Sequence, residues 1–510
     1  MPEYLYPGVY IEEIQRGPRP IEGVPTSTAA ILGETERGSI TPRLVTSYKD
    51  YQRWFGDVFD PNKFLPYAIN GFFENGGTRA FVCRLAGNSA VNAVAEFAPW
   101  TVRAVGPGAW GNRVRIKISD GTTKGPDGTS VGFRVQLAYW STRPAADFDP
   151  FVEQTRKPRP QHLEDFDDLE ADENSPNYYR KRTESSALVV LERRAGAPTS
   201  ARPANGTQML AGGADDAAPL GADAFVGLKN GSRASEQGLA ALELQPYREV
   251  ALLYAPAVTS ADIVTKIIAH CEKMRFRFAV IDSDKGVSSP ARLSPRDTLT
   301  DSSYAAFYYP WLMTKDPRTG AQTLTPPGGH VLGIYARTDT ERGVFKAPAN
   351  EIVRGALSLE FDVTDATQES LNPKGVNTIR NFPGRGIRVW GSRTLGSDAL
   401  WKYVSVRRYF IFLERSIYEG TQWVVFEPND DRLWPRVVDT IRQFLSAQCR
   451  QGALLGRTEQ EAFFIRCDRT TMTQDDIVNG RLICEIGVAP VRPAEFVVFR
   501  IFQHTAESRR

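Results

Sequence analysis

Between residues 224 and 350 the chain alternates apolar runs of strand length with stretches of helical spacing, and this leaves it few ways to fold. VALLYAP (250–256), FRFAVIDS (276–283) and YAAFYYPWL (304–312) are the runs. SADIVTKIIAHCEKM (260–274), opened by a serine cap, and HVLGIYARTDTERG (330–343), closed by Gly343, are the helical stretches. Strands separated by helices pair in parallel through right-handed crossovers, so an α/β layer is expected here.

The flanks read differently. TAAILGETERG and TRAFVCRLAG are strands on either side of two helices, SYKDYQRWFG and FLPYAINGFFENGG, the second stopped by its glycines. VRIKIS and FRVQLAYW are strands joined by the glycine-rich DGTTKGPDGT turn. RPQHLEDFDDLEADENSP (159–176) holds seven carboxylates and is expected to be a solvated loop, since the D-x-D-x-D-G order of a calcium loop is missing. A long helix is expected from about Val404. RLWPRVVDTIRQFLSAQCRQGAL is a second, with Leu433, Trp434, Val437, Val438, Ile441, Phe444 and Leu445 as one apolar stripe. Arg432, Arg436, Arg442, Gln443 and Arg450 lie off that stripe. They are either a solvated face or a row that docks on an acidic partner. FFIRCD, LICEIGV and FVVFRIF are strands.

Two strand-like segments are stranded at the termini. Val9, Tyr10, Ile11 and Glu12 precede a proline- and glycine-rich tether, QRGPRPIEGVPTST, and Phe496, Val497, Val498, Phe499 and Ile501 lie close to the other end. Neither has a hairpin partner nearby, and an unpaired strand edge is a device for joining chains.

Composition removes several functions. A net charge of +2 does not suit a protein that binds nucleic acid by bulk electrostatics. No window approaches 18 uninterrupted apolar residues, so insertion into a membrane by a spanning helix is not expected. Glu3, Glu12 and Glu13 stand where a secretory leader needs a basic start, which points to assembly in the cytoplasm. Five scattered cysteines and four histidines form neither C-x-x-C nor H-x-x-x-H, so no metal or cofactor is expected. GPGAWG (106–111) spells G-x-G-x-x-G but runs into a strand instead of opening a helix, and reads as a turn. His270, Asp282 and Ser303 could be drawn as a hydrolytic triad, yet no G-x-S-x-G elbow surrounds a serine there. No catalytic residue is expected.

Several segments, in order, resemble the tail sheath proteins of contractile phage tails and related injection systems. They are YPGVYIEEI, GGTRAFVCRL, GAWGN, PPGGHVLGIYARTDTERGVFKAPAN, LNPKGVNTIRNFPGRGIRVWGSRTLG, VRRYFIFLERSI, FEPNDDRLW and PAEFVVFRIFQ. The resemblance is poorest from about 120 to 220. It implies a non-enzymatic subunit of α+β and α/β multidomain fold. The arm and linker would occupy 1–25, and an inner α+β domain built from both ends of the chain would use 26–97 and 381–490. An outer β-rich insertion would span 98–212, a subtilisin-like α/β layer 213–380, and a C-terminal arm strand 491–510. The implied partners are further copies of the chain in a helical homopolymer of stacked hexameric rings, an inner tail tube protein, and baseplate and terminator or cap proteins. The implied particle matures in the cytoplasm and is released extracellularly or within a virion. The resemblance also places the arginine-bearing helix against the tube and the two arms on neighbouring subunits. A hydrolase on the α/β layer and a baseplate component are the alternatives.

Overall fold

The computed structural model describes residues 20–144, 148–152, 157–229, 232–233, 236–498 and 500. The described residues form two compact units: one holds those within 25–411 and 493–500, the other residues 20–24 and 412–492.

The larger unit is organised by a nine-stranded sheet. In spatial order its strands are Glu351–Ile352, Gly386–Val389, Val376–Phe382, Ala305–Tyr309, Phe278–Asp282, Leu252–Tyr254, Ala29–Gly33, Ala80–Arg84 and Arg43–Val45. Pairing is parallel from Val376–Phe382 across to Ala80–Arg84 and antiparallel at both margins. The parallel strands are apolar without alternation because helices cover both faces, and Ala305–Tyr309 and Phe278–Asp282 are buried at every residue.

Ala29–Gly33 pairs with Leu252–Tyr254 on one side and Ala80–Arg84 on the other, inside the parallel sheet. Its four fully buried residues, Ala29 to Leu32, can be covered on both faces only there.

Helices Leu65–Glu74 and Gly328–Arg342 pack on this sheet almost backbone to backbone. A Cβ on Gly329 would sit 2.5 Å from the Ala68 Cα, and one on Gly333 would sit 2.4 Å from the Phe72 carbonyl oxygen. The glycines of PPGGHVLG are what permit that approach.

Within the same unit, residues 93–210 carry their own core, with Trp100, Ile116, Leu137 and Leu191 at its centre. One antiparallel sheet orders Val94–Phe97, Trp100–Ala104 and Val189–Arg193; another orders Gly206–Met209, Val114–Asp120, Phe133–Tyr139 and His162–Leu169. The last strand corrects the expected solvated loop at 159–176. A bulge opposite Phe133–Val135, with Asp168 at φ 54°, breaks the two-residue alternation, which hides the strand from a periodicity search. Its carboxylates have partners: Asp165 takes the Arg134 Nε at 2.8 Å, and Asp167 and Asp168 accept from the Thr122 and Thr123 hydroxyls. Cross-strand charge pairing lets an acidic segment sit in a sheet.

The smaller unit contains the distal part of helix Val404–Gly420, helix Leu433–Arg450, and an antiparallel pair, Phe463–Arg466 with Glu485–Val488. The expected strand FVVFRIF has no ladder over its described residues 496–498. An extended segment becomes a strand only beside another, and none of the described residues pairs with it there.

Candidate assembly surfaces

Helix Leu433–Arg450 starts without a side-chain cap of its own. The Asp430 carboxylate supplies one by accepting from the Arg432 and Leu433 amides at 3.0 Å each. Its stripe is buried at Leu433, Trp434, Val437, Ile441, Phe444 and Leu445, joined by Thr440 and Gln448, whereas Val438 is only half-buried. Arg432, Arg436, Arg442, Gln443 and Arg450 are all exposed. At 3.6 residues per turn, Arg432, Arg436, Gln443 and Arg450 fall within an arc of about 40° and Arg442 about 80° to one side. The row is not uniformly cationic. Arg436 lies 3.7 Å from Glu427 and 4.9 Å above the Trp423 ring, and Arg442 is 3.0 Å from Asp439. Arg432 and Arg450 have no acidic partner among the described residues, so the strongest free charge is at the two ends of the helix.

The C-terminal segment is the second surface. Phe496, Val497 and Val498 are 74%, 67% and 78% exposed. Three consecutive apolar side chains in water are unfavourable for an isolated chain and suit one that is later covered. Val9, Tyr10, Ile11, Glu12, Phe499 and Ile501 lie outside the described residues. The end of the tether is described, and it is seated. Ile21 is buried against Gly420, where a Cβ would fall 2.6 Å from the Ile21 Cγ1, and the Val24 amide donates to the Ser416 hydroxyl at 3.2 Å.

A third feature escaped sequence reasoning. Phe426 is fully exposed and holds φ 70°, a left-handed conformation uncommon for a bulky residue, with Val425 beside it 59% exposed. Its only sequence signal is an aromatic residue at the start of the turn-rich FEPNDD.

The residues with a catalytic appearance are otherwise engaged. Asp282 is buried and accepts from the Tyr254 hydroxyl at 2.6 Å and from the Ala257 and Gly328 amides at 3.0 Å each. Burial pushes its carboxyl up to about 6 in spite of those bonds. The Gly328 bond makes it the anchor for the start of helix Gly328–Arg342, whose own N-cap, Pro327, makes no side-chain bond. His270 is buried between Arg277 and Glu243. GPGAWG leads into a single 3-10 turn, Ala109–Arg113, and then a strand. Among the described residues no group of His, Cys, Asp and Glu is placed to hold a metal ion, and no helix is long and apolar enough to cross a membrane.

A mixed α/β chain of several modules, with exposed apolar residues at Val425–Phe426 and in the run Phe496–Val498, presents surfaces suited to assembly. Comparison with known proteins gives that class its family. Residues 231–395 match the phage tail sheath protein central domain and residues 396–504 the phage tail sheath C-terminal domain, together more than half of the chain. A prophage major tail sheath protein of Pseudomonas aeruginosa is 26% identical over 295 residues, 56% of this chain and 72% of that protein. The tail sheath protein of Burkholderia phage BcepMu is 26% identical over 267 residues, 49% of this chain and 54% of that protein. The helical sheath of the anti-feeding prophage in its contracted state shares the fold at a TM-score of 0.59 and 24% identity, covering 98% of this chain and 99% of that one. The contracted sheath complex of the extracellular injection system PVC does so at 0.58 and 23%, covering all of both chains. The chain belongs to the phage tail sheath family, a family of structural proteins; the hydrolase and baseplate alternatives are not favoured.

Proposed function

We propose that this chain polymerises helically around a tail tube and contracts from a metastable extended packing to a lower one, driving the tube through a target envelope. The observation that carries the reading is the exposed Phe496–Val498 run at the end of a chain whose residues 231–504 match the sheath family. The N-terminal and C-terminal arms each add a strand to a sheet in neighbouring copies. The two-stranded sheet Phe463–Arg466/Glu485–Val488 suits that role, since a pair of strands is marginal alone and gains from extra ones. Each added backbone hydrogen bond contributes about 0.5–1.5 kcal/mol, so a strand of four or five is worth several kcal/mol per joint. Such joints hold while folded units move as rigid bodies.

The exposed arginine row faces the tube, and baseplate and cap proteins close the two ends of the polymer. The nine-stranded sheet is a subtilisin-type layer without catalytic use. That agrees with Asp282 serving as a helix anchor and His270 sitting between Arg277 and Glu243. The particle assembles in the cytoplasm and leaves it in a virion or as an extracellular injection device.

The test is assembly of the purified chain. Hollow ribbed cylinders in electron micrographs are expected from the full chain, and folded but non-polymerising subunits from chains lacking residues 1–13 or 496–510. Long cylinders from both truncated chains would refute the arm exchange.

A further inference from the structure

The exposed terminal run does not simply hang from the fold; it begins at a fixed point. Glu495, the residue immediately before Phe496, is gripped from four directions within the larger unit. Arg393 donates to it through Nε at 2.6 Å and Nη2 at 2.8 Å, a two-point guanidinium–carboxylate pair. Asn372 Nδ2 donates at 2.9 Å, the Tyr403 hydroxyl at 3.0 Å, and the Lys402 ammonium lies at 3.3 Å. The side chains of Arg393 and Glu495 are 9% and 19% exposed, whereas Phe496 next door is 74% exposed. Burial therefore ends within one residue.

Behind the clamp the connections run inward. The Arg393 amide donates to Asn377 Oδ1 at 2.6 Å, and Asn377 Nδ2 donates back to the Arg393 carbonyl at 2.7 Å. The same Asn377 Nδ2 reaches the Phe307 carbonyl at 3.2 Å. Asn377 lies on strand Val376–Phe382 and Phe307 on strand Ala305–Tyr309, neighbours in the parallel sheet. A further Arg393 bond, from Nη1 to the Asn372 carbonyl at 2.9 Å, closes the ring around the carboxylate.

We propose that Glu495 is the positioning residue of the C-terminal arm: it sets where the arm leaves the subunit and passes tension on the arm through Arg393 and Asn377 into the central parallel strands. This rests on the arm exchange proposed above. A terminal strand reaches a neighbour productively only when its origin is fixed, because a floating origin spreads the same segment over a larger volume and lowers its effective concentration at the acceptor. A fixed origin also turns the joint between copies into a link between rigid sheets. Loss of the clamp frees the segment without unmaking the core, since Arg393 then gains solvent as the detached chain moves away.

The test uses the full chain, Glu495→Ala, Glu495→Gln and a chain ending at Glu495, each measured for amide hydrogen exchange and for assembly. In Glu495→Ala, exchange over residues 493–498 should rise at least tenfold while that of Ala305–Tyr309 stays unchanged, and cylinder yield should fall at least tenfold. Glu495→Gln, which keeps an acceptor oxygen but no charge, should fall between Ala and the parent on both measures. Failure of the chain ending at Glu495 to assemble, alongside parental assembly by Glu495→Ala, would overturn the clamp and leave arm exchange standing. Assembly by the chain ending at Glu495 would instead overturn the C-terminal arm exchange itself. Unchanged exchange over 493–498 in Glu495→Ala would overturn the clamp directly.

Discussion

Removing the guanidinium of Arg408 should cost far more than a surface charge would. Arg408 on helix Val404–Gly420 meets Asp339 on helix Gly328–Arg342 through Nη1–Oδ1 at 2.9 Å and Nη2–Oδ2 at 2.6 Å. Their side chains are 3% and 5% exposed. Thr26 completes the knot: its hydroxyl donates to Asp339 at 2.6 Å and its carbonyl accepts from Arg408 at 3.0 Å. The Arg408 guanidinium also lies 4.7 Å over the Tyr335 ring. In Arg408→Met the Asp339 carboxylate stays buried with one hydroxyl left to it. Breaking a buried pair from one side costs about 3–5 kcal/mol. Asp339→Leu should cost about the same, since it strands a buried guanidinium. In the double variant no charge is buried, and the remaining loss is the Thr26 hydroxyl and carbonyl, about 1–3 kcal/mol.

The coupling between the two sites should therefore exceed about 3 kcal/mol, well above the scatter of independent sites. Because the chain has two units, the readout must report the larger one alone. Hydrogen exchange of the peptides spanning Ala29–Gly33 and Ala305–Tyr309, followed across a urea series, does so. With a urea dependence of about 3 kcal/mol per molar, each single variant should lower the midpoint by about 1 M or more. The double variant should lower it by less than either single one. If the double variant loses the sum of the two, the pair is not the unit of stability and the reasoning fails.

Gly333→Ala should lower the melting temperature, because overpacking of a tight contact costs about 1–3 kcal/mol and the obstacle is the Phe72 backbone; Gly221→Ala, with open space around it, should leave the temperature unchanged. Burial alone would raise the carboxyl of Glu495, but the bonds from Arg393, Asn372 and Tyr403 hold it down at about 2. Its clamp should therefore be fully present above about pH 4.5 and fade as pH falls toward 2, seen as faster exchange over 493–498. Reversing Arg436 and Arg450 to Glu should cut co-sedimentation with the tube at least tenfold without changing subunit melting; unchanged binding would make those arginines a solvated face. The register Arg466↔Glu485 brings the free Cys467 and Cys484 opposite each other at the end of the two-stranded sheet. Oxidised glutathione should join them, with loss of two titratable thiols and release of two equivalents of reduced glutathione, and Cys467→Ser should abolish the reaction.

Most individual elements were legible because each is decided by its own residues. The parallel strands appear as unbroken apolar runs, the helix at 433–450 as a stripe, and Gly343 as the stop of its helix. What stayed hidden depended on residues far away in the chain. The place of Ala29–Gly33 in the parallel sheet is decided by Leu252–Tyr254, more than two hundred positions on. The acidic strand His162–Leu169 is held by Arg134 and the threonines of the preceding turn, and its bulge erases the period that would have announced it. Of the candidate site, the exposed arginines and the unpaired apolar run could be read locally. The Glu495 clamp could not, because its partners lie at 372, 393, 402 and 403.

That division has a mechanical reading. The chain passes between the two units three times, near 24–25, 411–412 and 492–493. In the unit that holds the parallel sheet, every passage is followed or preceded within a few residues by an ionic knot, buried at Asp339 and partly buried at Glu495. Thr26 and Arg408 share the Asp339 knot, and Glu495 closes on Arg393. Long-range ion pairs are a poor way to gain net stability, since desolvation offsets most of their attraction. They are a good way to hold a chain at one place, because their geometry is directional and their loss from one side is costly. Three such passages, two fixed to helix Gly328–Arg342 and one through Arg393 and Asn377 to the parallel sheet, make that unit the frame of the subunit. In a polymer that changes its packing, tension arriving through a terminal arm would be resisted by parallel strands loaded together, not by loops that unravel one bond at a time.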